Sequence, residues 1–150
     1  MGVILCLGNI ICYNCTFKNN IGEYDGGAIC SQNGIEVYDS VFENNRLELS
    51  NNGGGALFAF KDIICVNTIF INNNVGEKDG GAISSRMDVT LISCEFTNNR
   101  ANARGGAVKA RNVICYDSIF THNWAGDSVE QSTLNQLLNV IIVYLVTILL

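Results

Sequence analysis

Positive charge is scarce in these 150 residues: nine Lys and Arg stand against fourteen Asp and Glu, for a formal charge of −5. Binding to nucleic acid calls for a basic stripe, and none is present. Proline is absent, so no proline-rich linker divides the chain. Histidine occurs once, at His122, which leaves little room for imidazole chemistry or a His-bearing metal site. No segment within the repeats carries a 3.6-residue apolar stripe long enough for a helix, which excludes leucine-rich, ankyrin and helical-pair repeats. No Lys or Arg precedes the apolar run of residues 1–12 and no small-residue cleavage site follows it, a poor match to a signal peptide. Met1-Gly2 is followed at position 6 by Cys6, where a myristoylation signal has Ser or Thr.

What the chain does contain is one phrase, repeated. A Gly-Gly-Ala-apolar tetrad occurs at Gly26-Gly27, Gly54-Gly55, Gly80-Gly81 and Gly105-Gly106, each pair followed by Ala and then Ile, Leu or Val. A Phe-x-x-Asn closure occurs at Phe17/Asn20, Phe42/Asn45, Phe70/Asn73, Phe96/Asn99 and Phe120/Asn123, with spacings of 25, 28, 26 and 24 residues. Periods of this size indicate a solenoid. Seven residues before each Phe stand Ile10, Ile35, Ile63, Val89 and Val113, and five before stand Cys12, Val37, Cys65, Leu91 and Cys115. Such period-2 alternation, interrupted by one corner, predicts about three short strands per turn. Stacking the turns gives an all-β parallel β-helix of about five coils, roughly 24 Å tall, over residues 1–125. A polar linker over 126–136 and an apolar tail over 137–150 follow. Met1 to Ile4 falls where other units have the tetrad, so the sequence starts inside a coil.

Each signature residue has a physical role in such a stack. The Gly pairs supply a sharp turn or a close backbone approach. The closing Asn is expected to occupy a left-handed corner and to ladder through its side-chain amide with the Asn of the next coil. The Phe column stacks inside.

These paired signatures resemble the repeat of the chlamydial polymorphic outer-membrane proteins and, more broadly, right-handed β-helices of the pectin-lyase-like superfamily. The resemblance implies a right-handed β-helix, displayed at the cell surface or outer membrane or secreted, and used in adhesion without catalysis or cofactor. Its partner would be a protein or glycan on a host or neighbouring cell. Two other readings stand beside this one: a carbohydrate-active β-helix, lyase or hydrolase, and a non-functional fragment of a longer repeat protein.

The remaining features are weighed against the register. Cys12, Cys65 and Cys115 share a column but alternate coils, about 9 to 10 Å apart, beyond disulfide reach. Most of the seven cysteines therefore read as small buried hydrophobes, with Cys30 expected to point outward alone. Cys12-Tyr13-Asn14-Cys15 is a C-x-x-C without the helix start of a thioredoxin site. Asn14-Cys15-Thr16 is a glycosylation sequon whose Asn14 sits in a corner column shared with Asp39, Asn67, Ser93 and Asp117. Asp25 and Asp79 precede Gly pairs two coils apart and invite a Ca²⁺ reading, but a solvated turn fits better. Lyase or hydrolase chemistry needs acids clustered with Arg or Lys on one strand face, whereas the outward tetrad-strand positions read Cys30, Phe58, Ser84 and Lys109. His122 falls in a turn column with Asn19, Asn44, Asn72 and Asn98. The longest connection runs from Phe42 to Gly54, so Arg46, Leu47, Glu48 and Leu49 are expected to bulge outward as the partner-contact loop. The tail 137–150 is shorter than a full membrane span of about 20 residues. It reads as a membrane segment, a lipid-anchor signal or a cap, with membrane attachment favoured.

Overall fold

The computed structural model describes residues 4–23, 25–48, 52–76, 79–126 and 140–142. Five coils follow one another, each built from four short strands rather than three. The first coil comprises β1 (Ile4–Cys6), β2 (Ile10–Tyr13), β3 (Thr16–Lys18) and β4 (Ile21–Gly22). The second comprises β5 (Ile29–Ser31), β6 (Ile35–Tyr38), β7 (Val41–Glu43) and β8 (Arg46–Leu47), and the third β9 (Leu57–Ala59), β10 (Ile63–Val66), β11 (Ile69–Ile71) and β12 (Asn74–Val75). The fourth has β13 (Ile83–Ser85), β14 (Asp88–Ile92), β15 (Glu95–Thr97) and β16 (Arg100–Ala101), and the fifth β17 (Val108–Lys109), β18 (Asn112–Tyr116), β19 (Ile119–Thr121) and β20 (Trp124–Ala125). Corresponding strands pair in parallel and form four sheets that run the length of the stack. Of the tail, only the backbone of β21 (Val140–Ile142) is described, beside β18. The membrane, lipid-anchor and cap readings of 137–150 lie outside the described residues. None of those residues forms a helix long and apolar enough to cross a membrane.

The fourth strand escapes a sequence reading because it is only two residues long and its outward column is mixed: Ile21, Arg46, Asn74, Arg100 and Trp124 pair in register. Its inward column holds Leu47, Val75 and Ala101, which are buried as a cluster of their own.

The main core is a set of vertical columns. Ile10, Ile35, Ile63, Val89 and Val113 stand directly over one another, as do Cys12, Val37, Cys65, Leu91 and Cys115. Phe42, Phe70 and Phe96 have no exposed surface. The five Phe rings stack with centroids 4.7 to 5.0 Å apart and planes within 5 to 9° of parallel. The strand spacing dictates that separation, which lies in the favourable range for offset aromatic stacking.

Two corners per coil carry positive φ at a residue other than glycine. One is the column Asn14, Asp39, Asn67, Ser93 and Asp117, between the second and third sheets, with φ of 47 to 52°. The other is Asn19, Asn44, Asn72, Asn98 and His122, with φ of 54 to 57°. The left-handed residue therefore precedes the closing Asn and is not the closing Asn itself. The two roles expected of one residue are divided between neighbours: the first turns the chain, and the second builds the ladder.

The ladder has a direction. Asn20 donates from its backbone N–H and Nδ2 to Asn45 Oδ1 (3.2 and 2.8 Å). Asn45 does the same to Asn73 (3.0 and 3.0 Å), Asn73 to Asn99 (3.0 and 3.0 Å) and Asn99 to Asn123 (2.9 and 2.9 Å). The second amide hydrogen of Asn45, Asn73, Asn99 and Asn123 goes to the carbonyl of Phe17, Phe42, Phe70 and Phe96 respectively, each at 2.9 Å. Asn45, Asn73 and Asn99 are fully buried, and an amide is the side chain that can accept two hydrogen bonds and donate two at once.

The glycine pair also divides its work. Gly80 adopts φ of 73°, the left-handed region that favours glycine. Gly81 needs no such angle, but a Cβ there would overlap the carbonyl oxygen of Gly106 in the next coil.

Candidate interaction surface

The signature residues are consumed inside the stack. Gly26, Gly27, Gly54, Gly55, Gly80 and Gly81 are buried and Gly105 and Gly106 half-buried, at the corner that leads into the first sheet. The Phe and Asn columns line the interior, so none of these positions in the central coils is available to a partner. A contact surface has to be sought in the outward columns and in the connections.

The expected contact loop is only partly outside. Arg46 and Glu48 are exposed and ion-paired with each other, but Arg46 and Leu47 form β8 and do not bulge. Leu47 is 2 % exposed, packed with Val75 and Ala101. The reason is the fourth sheet: Leu47 pairs in register with Gly22 and Val75, and its side chain takes the inward position. Leu49 lies outside the described residues.

The outer face of the second sheet is a more continuous feature. Its two outward columns are Ile11, Glu36, Ile64, Thr90, Ile114 and Tyr13, Tyr38, Val66, Ile92, Tyr116. Only Glu36 and Thr90 interrupt the apolar side chains. Glu36 is itself engaged, accepting a hydrogen bond from the Tyr38 hydroxyl at 2.8 Å. Tyr13 and Tyr38 stack at 4.8 Å, and Ile11 and Tyr13 are 54 % and 61 % exposed. Across the corner, Val41 and Ile69 extend the apolar surface onto the third sheet, where Glu95 separates them from Ile119. Contiguous exposed apolar surface of this kind marks contact sites. The signal was present in the sequence at six and four residues before each Phe, interleaved with the inward columns.

The outer face of the first sheet is closed instead. Cys30, Phe58 and Ser84, expected to face outward, are 7 %, 0 % and 1 % exposed. Of the residues that lead into the glycine pairs, Asn52 reaches this face. Ser84 Oγ donates to the Asn52 carbonyl at 3.0 Å, and Asn52 donates from its backbone N–H and Nδ2 to the Asp25 carboxylate, both at 2.9 Å. Burial, with the Asp25 charge adding to it, pushes the Cys30 thiol up to about 11. Asp79 meets the backbone N–H of Arg104 at 2.9 Å, its guanidinium at 3.1 Å and the Lys109 ammonium at 3.8 Å. The two acids weighed as Ca²⁺ ligands thus bind the next coil, and Asp79 already has cations beside it. At the corner between the first and second sheets, Arg111 and Asn112 hold the Asp88 carboxyl below the usual carboxylate range. Among the described residues, no group of three or more His, Cys, Asp or Glu side chains is arranged to hold a metal. His122 and Asn14 are exposed left-handed corner residues.

Comparison with protein families matches the Chlamydia polymorphic membrane protein repeat to residues 14–32, 67–86 and 93–111. The chain carries this repeat three times. Each match starts on a left-handed corner residue, Asn14, Asn67 or Ser93, passes through the Phe strand, the ladder Asn and the glycine pair, and ends just after the first-sheet strand. The polymorphic membrane protein repeat is therefore most of one coil, beginning at the corner between the second and third sheets and leaving out the second-sheet strand. The stretch from Asp39 to Phe60, outside the three matches, has the same strands in the same register. It differs in its longer connection between β8 and β9. The matched model is described as a repeat of Chlamydia membrane proteins. Comparisons with characterised proteins and with solved structures find no match.

Proposed function

We propose that the solenoid is a non-enzymatic display module at an outer-membrane or extracellular surface. In this reading it contacts a protein or glycan of a host or neighbouring cell through the outer faces of the second and third sheets. The observation that carries the proposal is the division of labour between columns. Glycine pairs, Phe and ladder Asn build a rigid stack, and the apolar outward positions do nothing for that stack. Extended concave or flat faces on repeat proteins commonly serve as binding surfaces. The acids closest to the glycine corners, Asp25 and Asp79, hold neighbouring coils together, which supports a structural over a catalytic use of their carboxylates.

The test is adhesion of the labelled full chain to cultured host cells. Ile64→Asp with Ile92→Asp, both on the outer face of the second sheet, is expected to weaken binding by roughly tenfold or more, the equivalent of losing one good apolar contact. Arg46→Ala with Glu48→Ala is expected to change it little, since an exposed ion pair contributes little. Binding unaffected by the apolar substitutions, or no binding at all, refutes the contact surface. Release of reducing ends from polysaccharides by the chain refutes the non-enzymatic reading.

A further inference from the structure

The repeat places two side chains toward the inside of the corner that joins the second and third sheets, one five residues and one two residues before each Phe. In successive coils this pair of positions reads Cys12 and Cys15, Val37 and Ser40, Cys65 and Thr68, Leu91 and Cys94, Cys115 and Ser118. Only the first coil puts two sulfurs at one corner. There the left-handed Asn14, with φ of 51°, turns the chain between Cys12 and Cys15, whose side chains share the inside of that corner and interact with each other. Cys15 Sγ also donates to the Tyr13 carbonyl at 3.2 Å. Cys12 is buried, Cys15 is half-buried, and both pack against the same core cluster. One thiol of the pair is thus open to a solution reagent, and the other waits behind it.

Of the other five cysteines, Cys94 lies near both Cys65 and Cys115, but from a neighbouring coil and not across a corner of the same one. Cys65 and Cys115 are separated by Leu91 in their column, two strand spacings or about 9.6 Å apart, outside disulfide geometry. Cys94 directs its thiol at the backbone carbonyls of Cys65 and Ile92, at 3.3 and 3.4 Å. Cys30 is buried beneath the connection that carries Asp25, and Cys6 accepts from the Gly8 N–H at 3.3 Å.

We propose that Cys12 and Cys15 are a redox-active dithiol that closes to a disulfide within the first coil by exchange with a small external disulfide. The Cys15 thiolate attacks one sulfur of the reagent, forming a mixed disulfide and releasing one thiolate. The Cys12 thiolate then attacks Cys15 Sγ, expelling the second. Two protein thiols are oxidised, one external disulfide is reduced to two thiols, and the two protons lost from the protein pass to the leaving thiolates. The bond staples the corner of the first coil in an oxidising medium and leaves the five interior thiols reduced. This inference does not depend on the adhesive reading.

The experiment exposes the folded full chain to glutathione disulfide, then denatures it, alkylates the free thiols and maps the peptides by mass spectrometry. The expected product is a monomer with five alkylated cysteines and an unalkylated Cys12–Cys15 peptide lighter by two hydrogens. Cys12→Val and Cys15→Ser, which install residues that other coils already carry at these positions, should each abolish that product. Alkylation of all seven thiols, or a dimer joined through Cys15, overturns the proposal.

Discussion

Asn73→Ala probes the ladder where it is fully enclosed. Asn73 Oδ1 accepts from the backbone N–H and from Nδ2 of Asn45, and its own Nδ2 donates to the Phe42 carbonyl and to Asn99 Oδ1. Truncation leaves the Asn45 N–H and one Asn45 amide hydrogen without partners in a site closed to water, and removes the side-chain bond to the Phe42 carbonyl. Asn99 Oδ1 keeps the Asn73 backbone N–H. Two buried orphans at about 1–3 kcal/mol each put the loss at about 2–6 kcal/mol, a large share of the roughly 5–15 kcal/mol of a typical domain. Asn20→Ala is the internal control. Its side chain contributes one ladder bond to Asn45 Oδ1, which also retains the Asn20 N–H, so the expected loss is about 1 kcal/mol. Asn73→Asp keeps the shape and both acceptances from Asn45, but the carboxylate cannot donate and faces Asn99 Oδ1. Enclosure and that oxygen raise the folded-state pKa of the new acid, so the deficit should be present at neutral pH and shrink as pH falls and protonation restores a donor. Urea denaturation followed by circular dichroism measures all three variants, and hydrogen exchange at the Asn45 amide reports the orphan directly. Equal midpoint shifts for Asn73→Ala and Asn20→Ala, with Asn45 still protected, would refute the assignment of stability to the buried ladder.

Two further outcomes follow from the same geometry. Gly81→Ala should destabilise the fold by at least about 3 kcal/mol, because its Cβ meets the Gly106 carbonyl rather than a side chain that can move aside. Gly8→Ala, with no atom within 4 Å of the new Cβ, should stay within about 0.5 kcal/mol of the parent in the same urea assay. Alkali should weaken the fold through the interior thiols. Burial raises Cys30 and Cys115 to about 11, and Cys65 well above 9.0. A folded-state pKa above the unfolded one gives stability that is complete below about pH 9 and lost progressively toward pH 11, as the unfolded chain ionises first. Thermal midpoints measured from pH 8 to 11 should fall, and Cys30→Ala with Cys115→Ala should flatten that slope.

The solenoid was legible because parallel, in-register stacking makes the chain state each interior position once per coil. Five readings of one column separate Phe17, Phe42, Phe70, Phe96 and Phe120 from chance in a way that one Phe-x-x-Asn could not. The same redundancy misled where two neighbouring columns hold the same residue. Asn19-Asn20, Asn44-Asn45, Asn72-Asn73 and Asn98-Asn99 do not say which Asn turns the chain and which ladders. His122-Asn123 does: a corner at φ of 54° accepts His, whereas the ladder needs a group that accepts two hydrogen bonds and donates two, and an imidazole has one of each. The fourth strand stayed hidden because two residues are too few to show alternation, so Leu47 read as loop although it sits over Val75 in a buried column. The outward apolar columns were equally visible but carry no register of their own.

The coil with the longest connection shows what the stack constrains and what it leaves free. Twelve residues separate Phe42 from Gly54, against nine or ten elsewhere, yet Phe42 still lies over Phe17 and Leu57 over Ile29. Register is held from within, by the ring stack at 4.9 and 5.0 Å on the two sides of Phe42 and by the Asn45 amide bonding both neighbouring coils. Extra connection length costs little, since loop-closure entropy grows only with the logarithm of length. It also serves the core here, because Asn52 at the end of that connection binds Asp25, Ser84 and Arg86 and closes the first sheet over Phe58. Connections and outward columns can therefore change in length and chemistry without moving a single interior rung. A coil built this way separates the residues that specify the fold from those that would specify a partner.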